Sequence, residues 1–238
     1  MELSKRLEAV ASLVSRGNRL ADVGTDHGYI PIALIEREWI PSAIALDINK
    51  GPLERASLHI KEHGLENKIT TRLSDGVKML HSGEADTVVI AGMGGPLLQN
   101  ILSEGREVLK TVKELILQPQ SEIGGVRHFL ETNGYMILEE KMIEEDGKFY
   151  PMMRVCHGRM SYESEAEYRY GHFLLQEENE VLYRFLMKEK ATLTGIYKHL
   201  ANSEGSRAQA GMQEVAGKLQ VLEDACGYYK SRRNSHEM

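Results

Sequence analysis

The chain has 238 residues, of which 42% are hydrophobic, and a formal net charge of −6. This length can bury one substantial core and support a smaller appendage. No apolar stretch reaches the ~20 residues of a membrane-spanning helix, and the first residues lack the apolar block of a secretory signal. The negative charge argues against a protein that coats nucleic acid by bulk electrostatics. We therefore expect a cytoplasmic protein without a membrane partner. The oligomeric state stays open, and a monomer is compatible with these features.

Over residues 1–158, short apolar runs alternate with helix-length amphipathic segments, which is typical of a parallel sheet with helices on both faces. The pattern predicts strands at 19–23, 42–47, 69–73, 86–91 and 114–118, and helices at 2–16, 29–38, 52–63, 95–105 and 122–133. Two more apolar runs flank the turn signal Asp146-Gly147 and predict an antiparallel hairpin. A doubly wound, Rossmann-like parallel sheet that ends in such a hairpin is the outline of the class I methyltransferase fold.

Residues 159–238 show a different pattern, with apolar residues on alternating three- and four-residue steps. The first run is Leu175, Leu182, Leu186, Leu193, Ile196 and Leu200, with Asn179 and Glu189 as polar members, and the second is Met212, Val215, Leu219, Leu222, Cys226 and Tyr229. The pattern predicts two helices packed as a coiled-coil hairpin. An arm of ~30 residues would reach ~45 Å and could touch a macromolecule. A helical cap on a sheet face is the alternative.

The segment from Asp22 to Gly28 predicts a nucleotide-cofactor site. Gly24 and Gly28 allow a tight turn and close approach of a ligand to the backbone. Asp47 follows Asp22 by 25 residues and ends the next strand, where a carboxylate can accept from both ribose hydroxyls. Asp26 stands where a dinucleotide site has a second glycine, and its charge would repel phosphate. A nucleoside cofactor without phosphates, S-adenosylmethionine, fits better, because its ammonium and sulfonium charges suit Asp22 and Asp26.

Other predicted site residues follow the later strands. We assign Ile48, after Asp47, to the cofactor, and expect Asp75 and Gly76 to meet its adenine, although Asp-Gly is also common in plain turns. Three glycines around Met93 after the fourth strand predict a bare backbone wall for a flat base. Within this wall, we assign Gly92 to the cofactor site. We assign Met93, Gly94 and Gly95 to the substrate site.

Three more side chains complete the predicted substrate site. Gln118 ends the fifth strand, where its amide could read a base edge or belong to a polar loop. His27 and Tyr29 flank Gly28, and His27 is a candidate proton acceptor or stacking partner. No metal site is predicted, because the two cysteines lie far apart without ligands at metal-binding spacing.

These blocks, in this order, are similar to those of the bacterial tRNA adenine-22 N1-methyltransferase family, TrmK, where 22 counts tRNA nucleotides. The carrying motifs are Asp-Val-Gly-Thr-Asp-His-Gly-Tyr-Ile-Pro, Ala-Leu-Asp-Ile-Asn, Ser-Asp-Gly, Ile-Ala-Gly-Met-Gly-Gly and Leu-Gln-Pro-Gln. The resemblance implies an S-adenosylmethionine-binding domain and a C-terminal coiled coil that helps to hold tRNA. It also implies that Asp26, His27 and the Gly92–Gly95 loop border the target base.

We therefore expect methylation of adenine N1 in tRNA, with Asp26 first and His27 second as acceptor for the adenine amine. We expect the tail residues Arg232 and Arg233 to contact tRNA phosphates. Two alternatives remain. One is a methyltransferase of a small molecule or protein, with the coiled coil as a dimer or partner interface. The other is a non-enzymatic adaptor, against which the acidic set Asp22, Asp47 and Asp75 counts.

Overall fold

The computed structural model describes residues 1–203 and 205–229 of the chain. The chain divides into two units, Met1–Ser161 and the residues from Tyr162 onward. None of the helices in the described part of the chain combines the length and apolar character that crossing a bilayer requires.

The first unit is built on one seven-stranded sheet. Its strands are β1 (Leu20–Val23), β2 (Ala43–Asp47), β3 (Ile69–Leu73), β4 (Thr87–Met93), β5 (Glu114–Pro119), β6 (Tyr135–Glu145) and β7 (Lys148–His157). The order across the sheet is β3-β2-β1-β4-β5-β7-β6. The first five strands pair in parallel, and β7 and β6 continue the sheet as an antiparallel hairpin. The doubly wound sheet and its terminal hairpin are confirmed.

Six helices accompany this sheet: α1 (Lys5–Ala11), α2 (Tyr29–Glu36), α3 (Lys50–Glu62), α4 (Gly95–Glu104), α5 (Arg106–Leu109) and α6 (Ile123–Thr132). The first three pack on one face of the sheet in a shared apolar core. Because parallel crossovers are right-handed, the connections that step the other way, through α4 and α6, cover the opposite face. The strand order reverses between β1 and β4, and a crevice opens there at the carboxyl ends of the strands.

The largest departures from the predicted helices are at α1 and α5. Helix α1 ends at Ala11 instead of residue 16, because the chain beyond it bonds to a neighbouring loop: the Trp39 Nε1–H donates to the Val14 carbonyl at 2.7 Å, and the Gly17 N–H donates to the Trp39 carbonyl at 2.8 Å. The short helix α5 was not predicted.

Helix α1 is held by the hairpin at the far end of the sheet. The Lys5 backbone N–H donates to Glu145 Oε1 at 2.7 Å, and Lys141 Nζ donates to Ser12 Oγ at 3.0 Å. The Arg6 guanidinium lies 5.8 Å from the ring centre of Tyr150, within cation–π range. Contacts with β6 and β7 therefore add to the apolar core in holding α1 in position.

The second unit contains α7 (Glu165–Tyr170), α8 (His172–Gln176), α9 (Glu180–Ala201) and α10 (Ser206–Gly227). Helices α9 and α10 pack on each other, and α7 packs on α10. The paired helices are confirmed, and their buried positions include predicted seam residues such as Leu186 and Leu222.

The described helices are shorter than the predicted arm, and α7 and α8 were not predicted as separate helices. Asn179 is not a seam member: its side chain caps α9 by accepting from the N–H groups of Val181 and Leu182. Ile196, predicted in the seam, is 43% exposed. At 22 residues, α9 is about 33 Å long rather than ~45 Å. Both cysteines, Cys156 and Cys226, are only partly buried.

Candidate active site

The turn after β1 depends on glycine. Gly24 and Gly28 have φ angles of +73° and +71°, in the left-handed region that favours this residue. A Cβ at Gly24 would lie 2.5 Å from the terminal methyl of Met93, so the flexible Met93 side chain would have to shift to admit it. This glycine therefore lets the loops after β1 and β4 come into contact.

Two buried carboxylates lie at the carboxyl edge beside this turn. Asp22 of β1 accepts a hydrogen bond from Thr25 Oγ1 at 2.6 Å. Burial raises the pKa of Asp22 to about 6, the Thr25 hydrogen bond opposes that rise, and the nearby charge of Asp47 adds to it. Asp47 ends β2 and accepts from the Asn49 N–H at 2.9 Å. Each carboxylate keeps lone pairs that can accept from a ligand.

Apolar side chains are exposed around this edge. Ile48, directly after Asp47, is 59% exposed, and Leu97 in the first turn of α4 is 51% exposed. Leu73, the last residue of β3, is also exposed. Such surfaces are suited to the faces of a flat base.

Asp26 and His27 lie at the mouth of the crevice. Asp26 has φ +49°, a left-handed conformation that Asp tolerates better than most residues. More than half of its side chain is exposed, and its Oδ1 accepts from Arg55 Nη2 at 2.5 Å. His27 Nε2 lies 3.6 Å from Asp26 Oδ2. Arg55 comes from α3 and was not predicted from the sequence.

Three rings lie together beside this pair. The His27 and Tyr29 ring centres are 5.0 Å apart with planes 9° apart, and His59 of α3 lies 5.2 Å from His27 and 5.6 Å from Tyr29. His59 Nδ1 lies 3.0 Å from the His27 carbonyl oxygen. All three rings are partly exposed. The sequence predicted two members of this cluster and missed His59.

One cavity of about 170 Å³ connects several predicted residues. Its lining includes Asp22, Gly24, Asp26, His27 and Tyr29, together with Arg6, Leu7, Thr25, Ile30 and Ala91. The structure therefore places five of the predicted site residues around one space. Arg6 was missed, since nothing in a short amphipathic helix signals which side chain reaches a crevice.

The glycine-rich loop after β4 is only partly the open wall that the sequence predicts. Strand β4 continues to Met93, with a register irregularity between Ala91 and Met93. Gly92 has φ +79°, and Gly92, Met93 and Gly94 are half-buried. Gly95, by contrast, is buried against Ser121, whose carbonyl oxygen would lie 2.5 Å from a Cβ at this position. Gly95 thus serves close packing of the backbone.

Gln118 is placed differently from its predicted position at a base edge. Its side chain is fully buried. Oε1 accepts from the Gly92 N–H and from Arg6 Nη1, both at 3.1 Å, and Nε2 donates to the Pro119 carbonyl. Because the amide is used within the protein, Gln118 orients the Gly92 loop and Arg6 rather than facing a base.

Asp75 and Gly76 lie apart from this cavity, after β3. The Asp75 carboxylate is exposed and accepts from Lys78 Nζ at 2.5 Å, and Lys78 also pairs with Glu104 at 2.7 Å. Gly76 has φ +57° and packs against Ile101. Asp75 lines a separate small hollow that also includes Leu97. Arg232 and Arg233 lie outside the described residues.

A family model for a methyltransferase domain matches residues 3–153. The Bacillus subtilis tRNA (adenine(22)-N(1))-methyltransferase is 32% identical over 230 residues, which cover 94% of this chain and 97% of the relative. This chain belongs to the same family, TrmK.

Solved structures agree with the TrmK assignment. The crystal structure of the B. subtilis m1A22 tRNA methyltransferase TrmK superimposes with a TM-score of 0.85 at 31% identity, and covers 94% of this chain and 98% of that one. A Streptococcus pneumoniae protein crystallised with S-adenosyl-L-methionine gives a TM-score of 0.85 at 37% identity, over 94% of this chain and 99% of that one. The match therefore spans both units, and the predicted family is confirmed.

Proposed function

We propose that this protein transfers a methyl group from S-adenosylmethionine to N1 of adenine 22 in tRNA. The observation that carries the proposal is the pair of partly satisfied carboxylates, Asp22 and Asp47, beside a glycine turn that Asp26 makes unsuitable for phosphate. The match of the whole chain to a tRNA (adenine(22)-N(1))-methyltransferase supports the nucleotide and the atom. An enzyme that acts on tRNA in bacteria works in the cytoplasm, and we propose that location.

The residues at the carboxyl edge fit this cofactor. Asp22 is buried and acidic beside the cavity, so it can accept from an ammonium group, and Asp47 can accept from ribose hydroxyls. Ile48 and Leu97 offer apolar surface to an adenine, and Asp75 can accept from its amine once Lys78 moves aside. We assign Gly24, Gly28, Gly76 and Gly92 to the same site as backbone positions that permit close approach. When bound, S-adenosylmethionine supplies an electrophilic methyl group.

The protein's contribution to the reaction is mainly to position the target base. Adenine N1 already carries a lone pair, so no group needs to remove a proton before attack. The methylated ring gains positive charge that it shares with the exocyclic amine, and a carboxylate that accepts from this amine stabilises the transition state. Asp26 borders the cavity and is our first candidate. His27 is the second.

Arg55 fixes the orientation of the Asp26 carboxylate. Its guanidinium holds Asp26 Oδ1 at 2.5 Å and leaves Oδ2 on the side of His27. The carboxylate is therefore oriented before the base arrives, at the cost of some negative charge. Tyr29, Met93 and Gly94 complete the wall that we assign to the base.

N1 lies on the Watson–Crick edge, so the target nucleotide must leave its pair and its stack, at a cost of a few kcal/mol. We propose that residues 159–238 hold the tRNA while this happens. The side of α9 away from Leu186 exposes Arg184, Lys188 and Lys198, which can meet phosphates. We retain the tail residues Arg232 and Arg233 as further phosphate contacts.

The test is direct. The protein is incubated with unmodified tRNA and S-adenosylmethionine labelled in its methyl group, and the modified nucleoside is mapped. We expect 1-methyladenosine at position 22 and no label in a matched tRNA with guanine there. Label in protein or small molecules but not in tRNA would favour the alternative methyltransferase.

The salt dependence of tRNA binding tests whether the C-terminal residues hold the tRNA. Replacing Arg232 and Arg233 together by Ala should weaken binding of all tRNAs about equally and flatten the log–log salt dependence by up to ~2 units. Cofactor affinity should not change. An unchanged salt slope would remove these two residues from the tRNA contact surface.

A further inference from the structure

The ring cluster beside Asp26 is brought together by close packing of two helices. A Cβ at Gly28 would lie 3.5 Å from the Cβ of Ala56, so the start of α2 sits directly against α3. His59 follows Ala56 by one helical turn and shares its face of the helix. This packing places the His59 ring next to the rings of His27 and Tyr29.

The hydrogen bond of His59 fixes its ring. The His27 carbonyl oxygen can only accept, so the His59 Nδ1 at 3.0 Å carries the proton and donates. This bond joins α3 to the loop that holds Asp26. Arg55, four residues earlier on α3, bonds to Asp26 itself, so two side chains one turn apart hold the same loop.

The cluster has properties that a purely structural core would not need. Its three planes lie within 9° to 19° of one another, and Tyr29 is 37% exposed. Among the described residues, the buried Nδ1 of His27 has no hydrogen-bond partner. A buried nitrogen without a partner, on a ring that lines the cavity, is a polar group that a ligand can satisfy.

We propose that His27, Tyr29 and His59 form a stacking surface for the extruded purine of the RNA substrate, and that the His59 ring contacts this purine. The proposal rests on the proposed function. A purine drawn out of its helix loses the stacking of its neighbours, and aromatic side chains replace part of it. The rings adjoin the cavity that Asp26 lines, so a stacked purine would present its edge to that carboxylate.

Two substitutions at His59 separate its ring from its hydrogen bond. His59→Phe keeps an aromatic ring and loses the donor, whereas His59→Gln keeps a donor and loses the ring. The matched control is His63→Ala: this histidine of the α3 C-terminus is also partly exposed, but its Nδ1 contacts Glu36. The measurements are kcat and KM with unmodified tRNA, and S-adenosylmethionine affinity by calorimetry.

We expect His59→Gln to lower kcat/KM for tRNA by about ten- to one-hundredfold and His59→Phe to stay within about threefold of the wild type, because stacking depends on the ring. Cofactor affinity should stay constant in both, and His63→Ala should behave as wild type. Tyr29→Leu removes a ring without touching the His59 bond and should show the same loss of kcat/KM. It keeps the test decisive if His59→Gln does not fold.

The proposal is overturned if His59→Phe loses as much activity as His59→Gln, because the bond to the loop would then be what matters. It is also overturned if His59→Gln and Tyr29→Leu both keep full activity. These outcomes require a wild-type protein that methylates tRNA. A wild type that binds cofactor but leaves tRNA unmodified would instead refute the proposed function, and the stacking surface with it.

Discussion

Carboxylates at the two ends of the parallel strands differ in their hydrogen-bond partners and in the direction of their pKa shifts. At the amino end, Asp86 accepts from Arg19 Nε at 2.8 Å and pairs with Lys113 at 3.1 Å. These hydrogen bonds, that of Arg19 first, hold the pKa of Asp86 well below its usual range. At the carboxyl end, burial raises the pKa of Asp22, whose carboxylate accepts a hydrogen bond from the Thr25 hydroxyl at 2.6 Å.

Glu114 extends the contrast. It is buried at the amino end of β5 and accepts from the Ser15 N–H and hydroxyl, the Thr87 hydroxyl and the Asn18 amide, at 2.7 to 3.3 Å. A carboxylate whose partners are all supplied by the protein stabilises the fold. A buried or strained carboxylate that keeps lone pairs without a donor is instead suited to bind a ligand. We expect its position to lower the stability of the fold.

The largest effect is expected at Asp26. If it accepts from the adenine amine in the transition state, Asp26→Asn should lower kcat by about 10²–10³-fold and change cofactor and tRNA affinity little. Single-turnover methylation and equilibrium binding measure these separately. Asp86→Asn, at the other end of the sheet, is the matched control and should keep kcat. Equal losses of rate and of both affinities would make Asp26 a structural residue.

Glu114 should give the reverse result. Glu114→Ala leaves buried donors on Ser15, Thr87 and Asn18 without an acceptor and should lower the free energy of unfolding by about 3 kcal/mol. Denaturant unfolding measures this loss. Cofactor affinity of the remaining folded protein should match the wild type, and a specific loss of cofactor binding would break the contrast between the two ends.

Asp47 should affect binding with little effect on stability. Asp47→Ala should weaken S-adenosylmethionine binding by about 1.5–3 kcal/mol, roughly ten- to one-hundredfold, because a charge-assisted hydrogen bond is lost. Calorimetry measures it. Unchanged affinity would remove Asp47 from the ribose site, and tighter binding of NAD than of S-adenosylmethionine would refute the cofactor.

The smallest effect is a pH dependence. Asp22 in the unliganded fold becomes protonated below about pH 6 and then no longer attracts an ammonium group. Cofactor affinity should therefore fall by up to about tenfold per pH unit below 6, and Asp22→Asn should remove this dependence. The same raised pKa means that Asp22 costs folding stability as pH rises from about 4 through 6, and that cost is complete above 6. A wild-type affinity that is flat from pH 7.5 to 5 would contradict the assignment.

The sequence predicted the sheet well, because buried parallel strands are continuous apolar runs and each is followed by turn residues and a helix-length segment. It also predicted where Asp22, Asp47 and the glycine turn lie in the fold, since these residues are next to one another or at a fixed distance along the chain. The helical unit was predicted less well. The three- and four-residue spacing of apolar residues continues through Asn179, so the spacing alone does not show that this residue caps a helix. Short helices such as α7 contain too few residues for such a spacing to repeat.

Side chains that come together from different helices were not predicted from the sequence. Arg6, Arg55 and His59 come from α1 and α3, and their positions follow from packing against the sheet and α2. The structure places the Gln118 amide differently from its predicted position at a base edge for a related reason. Its place at a strand end suits a ligand contact, but only the three-dimensional neighbours of its amide show that the Gly92 loop and Arg6 already occupy it.

The attachment of α1 to the hairpin has a consequence for biosynthesis. Arg6 reaches the cavity from a helix whose hydrogen bonds run to β6, the penultimate segment of the unit to be made before β7 closes the sheet. A nascent chain that has emerged only as far as β5 already contains the glycine turn, both buried carboxylates and most of the apolar core around α1, yet it lacks the hairpin contacts of α1. The hydrogen bonds that join the first helix to the hairpin, and the contact of Arg6 with Tyr150, therefore form only when synthesis of the unit is complete.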